Sequence, residues 1–237
     1  MTLILGGVCS DGLVVASDRA ESSESRIDMV SKIYRLRNGS LFAFSGDLGI
    51  SQKVMAGINS ISDIGDQPLL SQIETIEGIT KSFNQKYKEL DISSDFFLTM
   101  TDDSDKPVLM FFDDDGSSLM INQFDTLGSG SQLGMFFLRL LYRPGMTCEE
   151  LAQIFSFVIQ TVSESGVNQY VKVTPQYPPE IFIINSPNPR KPFLYQNDFA
   201  YEINSDKIKS LNNFINNLFH TETIQIETVK RYFGLLP

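Results

Sequence analysis

The chain opens on an apolar hairpin pattern that decides its fold, and residues 2–18 read TLILGGVCSDGLVVASD. An apolar run from Leu3 to Cys9 is followed by the turn residues Ser10-Asp11-Gly12 and by a second apolar run, Leu13 to Ala16. Two apolar runs joined by a short turn that contains glycine are typical of a β-hairpin. The pattern therefore predicts two paired strands, with Asp18 directly beyond the second one.

A second hairpin and a helical region follow. Residues 32–36 and 40–44 flank Arg37-Asn38-Gly39, where the Asn-Gly pair supplies the positive φ that a tight hairpin turn requires. Apolar residues then recur at intervals of three and four between about residues 49 and 89, which predicts two helices broken near residues 65–68.

The same types of element then recur. Strand patterns occupy residues 96–100, 108–112 and 118–124, and acidic residues 113–115 form the turn between the last two. One helix is predicted over residues 132–142, and the next begins with the capping box Thr147 to Glu150. A final strand is predicted over residues 180–185.

The order of these elements predicts an α+β fold. Strands, two helices, strands, two helices and a strand fit two antiparallel sheets stacked face to face, with helices covering both outer faces. We therefore predict a four-layer αββα sandwich over residues 1–185. The proline-rich segment 186–192 breaks regular structure and begins a C-terminal extension, residues 186–237. We expect the extension to be partly helical, near residues 205–219, and to pack on the domain or on a neighbouring subunit.

Composition excludes several classes of protein. The 237 residues carry a formal net charge of −10, so neither nucleic acid nor an anionic membrane is an expected partner. The chain contains no apolar run of roughly 20 residues, the length that spans a bilayer, and its start lacks the charged segment of a signal peptide. We expect a cytoplasmic protein. Cys9 and Cys148 are predicted to be reduced core thiols, and no metal site or cofactor is predicted.

Thr2 is the candidate nucleophile. Removal of Met1 would place a hydroxyl and a free α-amine on one residue, and the ordinary pKa of that amine, about 7.7 to 8.0, suits a base working near neutral pH. If Asp18 and Lys32 lie at the same end of the sheet, the lysine ammonium stabilises the developing alkoxide and the carboxylate holds the lysine in place. A solvated pair of surface charges is the alternative interpretation of Asp18 and Lys32.

Five segments together resemble a proteasome β-subunit, a member of the N-terminal nucleophile (Ntn) hydrolases. They are the opening hairpin with its aspartate (2–20), the lysine strand (32–36), the glycine turn Phe-Ser-Gly-Asp-Leu-Gly (44–49), the Gly-Ser-Gly-Ser loop (128–131) and the helix start at 144–150. The resemblance covers roughly residues 2–165.

The resemblance implies a set of catalytic roles. Thr2 is implied as nucleophile and amine base, Lys32 as its electrostatic activator and Asp18 as the partner of the lysine. Gly46 is implied as a donor to the oxyanion hole. Such a preorganised N–H donor contributes several kcal/mol to the stabilisation of a tetrahedral oxyanion.

Further residues are implied around the nucleophile. Ser129 is placed near the threonine amine, although its loop has the alternative role of merely joining a strand to a helix. Val30, Phe44 and Leu48 are implied to line the pocket for the side chain that precedes the cleaved bond, and core packing is the alternative for all three. Ser165 matches the last serine of the family pattern Asp-Ser-x-Ser-Gly-Gly, in which Val162 replaces the aspartate of this family.

The resemblance implies a threonine-type endopeptidase. Its expected substrate is a peptide or unfolded protein, and the expected assembly is a homo-oligomeric ring to which a cap or ATPase can bind. Two alternatives stay open. One is a non-catalytic ring or scaffold subunit, and the other is an Ntn amidohydrolase or transpeptidase that acts on a different amide.

Overall fold

The strands and helices of the computed structural model alternate in groups. The structure describes residues 2–22, 27–87, 89, 92–164, 171, 173, 177–186 and 192–194. Within these residues the strands are β1 Ile4–Val8, β2 Gly12–Ser17, β3 Ala20–Ser22, β4 Ile27–Met29, β5 Ile33–Arg35, β6 Leu41–Gly46, β7 Ser94–Thr101, β8 Pro107–Phe112, β9 Ser118–Ile121, β10 Phe124–Leu127, β11 Glu180–Asn185 and β12 Phe193–Leu194. The helices are α1 Leu48–Ser60, α2 Leu69–Tyr87, α3 Ser131–Leu141 and α4 Cys148–Glu164, with a short 3₁₀ turn at Ile64–Asp66.

The strands form two five-stranded antiparallel sheets. The first sheet has the order β10-β1-β2-β11-β12 and the second has the order β5-β6-β7-β8-β9, while β3 and β4 pair separately. The predicted hairpins are both present, since β1 pairs with β2 from Ile4↔Ser17 to Val8↔Leu13, and β5 pairs with β6 around Gly39, which has φ 92°.

Three apolar clusters show how the layers stack. One joins α3 and α4 to the outer face of the first sheet, and a second joins α1 and α2 to the outer face of the second sheet. A third lies between the sheets and includes Ile4, Val15, Ala43, Phe97 and Leu109. The predicted αββα sandwich is therefore confirmed. Burial of these faces is the main force that holds the four layers together.

The helix boundaries follow from local capping. The Asp47 carboxylate accepts the Ile50 N–H at 2.8 Å and begins α1. At α4 the predicted capping box is present, because Glu150 accepts the Thr147 N–H at 2.9 Å and Thr147 Oγ1 accepts the Glu150 N–H at 3.3 Å. Asp11 Oδ1 accepts the Cys148 N–H at 2.8 Å, so the β1–β2 turn also caps α4.

The expectation of one strand over residues 118–124 was wrong. The chain leaves the second sheet after Ile121, and Phe124 begins β10 in the first sheet. Apolar periodicity does not distinguish one strand from two short ones that lie in different sheets. The change of sheet matters because β10 lies beside β1 and carries the serine loop to the start of the chain.

The predicted domain division stays a prediction. β12 pairs with β11 through Phe182↔Leu194 and Ile183↔Phe193, so the first residues beyond the proline-rich segment join the first sheet. Residues 195–237, which include the predicted helix near residues 205–219, lie outside the described residues.

Candidate active site

The ends of several strands place Thr2 in a buried corner of the sandwich. β1 begins two residues after Thr2, and β2 and β10 both end beside that start because Ile4 pairs with Ser17 and with Leu127. Lys32, which precedes β5, contacts Asp18, which follows β2. In the second sheet, the start of β5 and the end of β6 therefore lie at the same side of the molecule as Thr2. We call this side the Thr2 end. Thr2 itself is 6% exposed.

Asp18 is hydrogen-bonded to the residue that follows the candidate nucleophile. The β1–β2 ladder continues past its last strand pair, with the Asp18 N–H donating to the Leu3 carbonyl at 3.1 Å. The Leu3 N–H donates in turn to Asp18 Oδ1 at 2.8 Å. The backbone next to Thr2 is therefore held by both the main chain and the side chain of Asp18.

Lys32 reaches the same carboxylate oxygen from the other sheet. Its Nζ donates to Asp18 Oδ1 at 2.9 Å, and the two side chains are 5% and 0% exposed. A buried ammonium requires a charged partner at hydrogen-bond distance, because desolvation of an isolated charge costs several kcal/mol. Asp18 meets that requirement and, through Leu3, anchors the lysine beside Thr2. The interpretation of Asp18 and Lys32 as solvated surface charges was wrong.

The Gly-Ser-Gly-Ser loop closes over the other side of Thr2. The Gly130 N–H donates to the Thr2 carbonyl at 3.2 Å. Gly128 has φ 90°, and a Cβ built there would lie 2.2 Å from the Thr2 carbonyl oxygen, so a side chain is excluded on both counts. Continuing the β1–β10 register places Ser129, which is exposed, opposite Thr2.

The family model named "Proteasome subunit" matches residues 2–173 of the chain. The chain belongs to the proteasome subunit family. Members of this family form oligomeric rings.

Solved structures of the same fold include Anbu from Hyphomicrobium sp. strain MC1. This structure has a TM-score of 0.71 and 14% sequence identity, over 90% of this chain and 97% of that chain. A structure of the Gly-1 mutant of Anbu from the same strain has a TM-score of 0.72 and 14% identity, over 91% of this chain and 97% of that chain. No curated protein matches the chain. At this identity the likeness shows the proteasome subunit fold alone.

Gly46 lies at the Thr2 end as the last residue of β6. It has φ 107°, and a Cβ there would lie 2.3 Å from the Ser93 carbonyl oxygen, so glycine is required. Its neighbour Ser45 places Oγ 3.0 Å from a Cβ built on Gly128. The end of β6 therefore touches the loop that holds Thr2.

The three residues implied for the substrate pocket lie in two places. Phe44 is 6% exposed and packs in the cluster formed with α1 and α2, and Leu48 lies against the same cluster. Val30 is half-buried, and its N–H donates to the Arg19 carbonyl at 2.8 Å. Their role in a pocket stays a prediction, and core packing accounts for the positions of Phe44 and Leu48.

Val162, which replaces the aspartate of the family pattern, is a core residue. It is 0% exposed and belongs to the apolar cluster between α4 and the first sheet. The following residue, Ser163, accepts the Val173 N–H on its Oγ at 2.9 Å. Ser165 lies outside the described residues, so its implied place near Thr2 stays a prediction.

A second polar contact between the sheets lies at the Thr2 end, and it was not predicted from the sequence. Ser31, one residue before Lys32, donates from Oγ to Glu180 Oε2 at 2.7 Å. Burial raises the pKa of the Glu180 carboxyl, while the Ser31 hydrogen bond and the charge of Arg19 oppose that shift. The strand that begins at Glu180 was predicted, but its position beside β2 brings together residues about 150 positions apart, and no local pattern reports that.

Three aspartates extend the Thr2 end along the second sheet. The β6–β7 register pairs Ser45 with Asp95, and Asp113 and Asp114 follow the end of β8, the next strand. The carboxylate oxygens of the three residues all lie within 4.8 Å of one another. Burial, and then the charges of Asp113 and Asp114, raise the pKa of Asp95 to about 6. This side of the candidate site therefore carries negative charge.

None of the described helices is long and apolar enough to cross a membrane. This finding concerns the part of the chain that the structure describes.

Proposed function

We propose that the chain is a threonine-type peptidase whose nucleophile is Thr2, exposed as the N-terminal residue by removal of what precedes it. The observation that carries the proposal is the chain of contacts from Lys32 Nζ to Asp18 Oδ1 and from that oxygen to the Leu3 N–H, at 2.9 and 2.8 Å. A buried cation held one residue from a threonine favours ionisation of the threonine hydroxyl.

The proposed reaction proceeds in two steps. The Thr2 amine accepts the hydroxyl proton as Oγ1 attacks a peptide carbonyl, and the Lys32 ammonium stabilises the alkoxide as it forms. Gly46 offers its N–H to the tetrahedral oxyanion. The peptide C–N bond then breaks, the leaving amine takes the proton, and an ester on Thr2 remains. Water activated by the amine hydrolyses that ester and restores the hydroxyl.

The expected substrate is a peptide or an unfolded protein. Because members of its family form oligomeric rings, we expect the subunit to act in a homo-oligomeric ring, with a cap or ATPase as a further partner. Light scattering of the purified protein distinguishes a ring from a monomer.

The test is the intact mass of the purified protein before and after a threonine-directed epoxyketone or β-lactone. We expect the intact mass of a chain that begins at Thr2, and one adduct that maps to Thr2. The Thr2→Ala protein is the matched control, and it should fold, form no adduct and cleave no fluorogenic peptide. Adduct formation without peptide cleavage would point to an amidohydrolase or transpeptidase working with the same nucleophile.

A second candidate function is a non-catalytic ring or scaffold subunit. Val162 favours it, because the position that carries a carboxylate in the family pattern is filled here by an apolar residue within the core. Retention of the residues before Thr2, with no adduct, would support this function and exclude the peptidase.

A further inference from the structure

The β1–β2 turn holds Cys9 against the first residue of α4, which is Cys148. Their sulfur atoms and a carboxylate oxygen of Asp11 all lie within 4.8 Å of one another. Both thiols are free. The two cysteines are 139 positions apart in sequence, so no local pattern predicts that they are neighbours.

The backbone around the two thiols is fixed by three hydrogen bonds. The Met146 carbonyl accepts the Ser10 N–H at 2.8 Å and the Ser10 hydroxyl at 3.1 Å. The Cys148 N–H donates to Asp11 Oδ1 at 2.8 Å. Ser10 and Asp11, the two residues after Cys9, are therefore tied to Met146 and Cys148, and these backbone contacts hold the two sulfur atoms close together.

The two cysteines differ in access to solvent. Cys148 is 2% exposed and its thiol points to the Leu13 carbonyl, 3.8 Å away, whereas Cys9 is half-buried. An accessible thiol beside a buried one is the arrangement of a two-cysteine oxidation site, in which the first sulfur meets the oxidant and the second resolves the product.

We propose that Cys9 and Cys148 are such a site, and that a peroxide converts them into an intramolecular disulfide between the β1–β2 turn and the start of α4. This proposal is independent of the proposed peptidase function. The cysteines lie at the opposite end of β1 from Thr2, about 20 Å away along the strand.

The chemistry balances with one peroxide molecule for each disulfide. The Cys9 sulfur attacks an oxygen of hydrogen peroxide, the O–O bond breaks and the other oxygen leaves as water, which forms a sulfenic acid on Cys9. The Cys148 sulfur then attacks the Cys9 sulfur, the S–O bond breaks, and the hydroxyl leaves as a second water with the Cys148 proton. The neighbouring Cys9 side chain, burial and Asp11 all raise the pKa of the Cys148 thiol, so this thiol gives up its proton only as its sulfur attacks the sulfenic acid.

The test compares reduced and peroxide-treated full-length protein, with a chelator present so that no metal protects the thiols. Oxidation should lower the intact mass by about 2 Da and reduce the number of alkylatable thiols from two to none. It should also raise the Tm by roughly 5–15 °C, because the crosslink closes a long loop of the unfolded chain. Dithiothreitol should reverse all three changes.

Two single variants test the order of events. In Cys148→Ser the sulfenic acid on Cys9 has no resolving thiol, so a dimedone-reactive species about 16 Da heavier should accumulate. In Cys9→Ser the buried Cys148 should remain reduced at the same dose. The mass measurement on the unmodified sequence decides the proposal even where a variant folds poorly.

Three results would overturn it. The first is that both thiols remain alkylatable after peroxide treatment. The second is that disulfides form only between molecules, which would be seen as a dimer band in a gel run without reductant that disappears when dithiothreitol is added. The third is that Cys9 proceeds to sulfinic acid without forming a disulfide.

Discussion

Lys32 Nζ and Asp18 Oδ1 lie 2.9 Å apart in a place where the two side chains are 5% and 0% exposed. Asp18→Asn should therefore lower the free energy of unfolding by about 3–5 kcal/mol, because it removes the carboxylate charge that pairs with the buried lysine. The asparagine keeps an oxygen that can accept the Leu3 N–H, so the change isolates the loss of charge. Urea denaturation measures the effect.

A double-mutant cycle with Lys32→Met checks that this loss comes from the pair. Asp18→Asn combined with Lys32→Met should be more stable than the sum of the two single changes predicts, since neither charge is then left unpaired. Glu74→Gln, at an exposed position on α2, is the control for removal of one negative charge. Strict additivity of the two single changes would show that the ion pair does not couple these residues.

Two glycine substitutions should have opposite effects on stability. Gly128→Ala puts a Cβ 2.2 Å from the Thr2 carbonyl oxygen at φ 90°, and it should destabilise the protein by at least about 2 kcal/mol. Gly78→Ala lies within α2, where the new Cβ has no atom within 4 Å apart from its chain neighbours and the adjacent backbone of the helix, and it should stabilise by about 0.5–1 kcal/mol. Thermal denaturation of the two variants gives the comparison.

The same two variants test whether the Gly128 loop is needed to position Thr2 in the candidate site. Because the new Cβ of Gly128→Ala displaces Thr2, this variant should also lose the epoxyketone adduct, while Gly78→Ala keeps it. An adduct of normal yield on Gly128→Ala would show that the loop is not needed to position Thr2.

Asp95 should make stability depend on pH. Its pKa is raised from 3.8 to about 6, so between these values the folded protein holds a proton that the unfolded chain has released. Stability therefore falls as pH rises through that window, and the unfavourable contribution is complete above it. Because the carboxyl is partly exposed, solvent screening limits this contribution to about 1 kcal/mol.

Asp95→Asn should consequently stabilise the protein at pH 7.5 and leave its stability nearly unchanged at pH 4.5. Thermal denaturation at the two pH values measures this, with Glu74→Gln as the exposed control. An equal gain at both pH values would show that the charge of Asp95 is not the cause.

Val162→Asp should be strongly destabilising, although it restores the residue of the family pattern. Val162 is 0% exposed within an apolar cluster, and a carboxylate there is desolvated, which should lower the free energy of unfolding by at least about 3 kcal/mol. Val162→Ala removes only two methyl groups and should lower it by about 2 kcal/mol. Equal losses measured by urea denaturation would show that the introduced carboxylate finds a polar partner.

Much of the fold could be predicted because its signals are local. The apolar runs around Ser10-Asp11-Gly12, the turn at Gly39 and the capping box of Thr147 and Glu150 each report a local structure that formed as expected. The strand after Ser118 was misjudged because the chain changes sheet over only two polar residues, Asn122 and Gln123, and so short an interruption does not indicate the end of a strand.

Some residues of the candidate site could also be proposed from the sequence, and others could not. The hairpin patterns predicted that Thr2, Asp18 and Lys32 lie near strand ends, and the resemblance to a proteasome β-subunit implied their roles and that of Gly46. The Ser31–Glu180 contact and the Asp95 cluster could not be proposed, because each depends on which strands are neighbours.

From the sequence alone the strands and helices could be predicted, because hydrophobic periodicity, turn residues and capping act over a few residues. The candidate nucleophile and its expected partners came from the resemblance of several such segments, taken in order, to a proteasome β-subunit. The contacts between those segments are visible only in the tertiary structure. It buried Lys32 against Asp18, closed the Gly128 loop over Thr2 and placed Cys9 beside Cys148. These contacts join residues far apart in the chain, and the packing of two sheets and four helices is what brings such residues within hydrogen-bond distance.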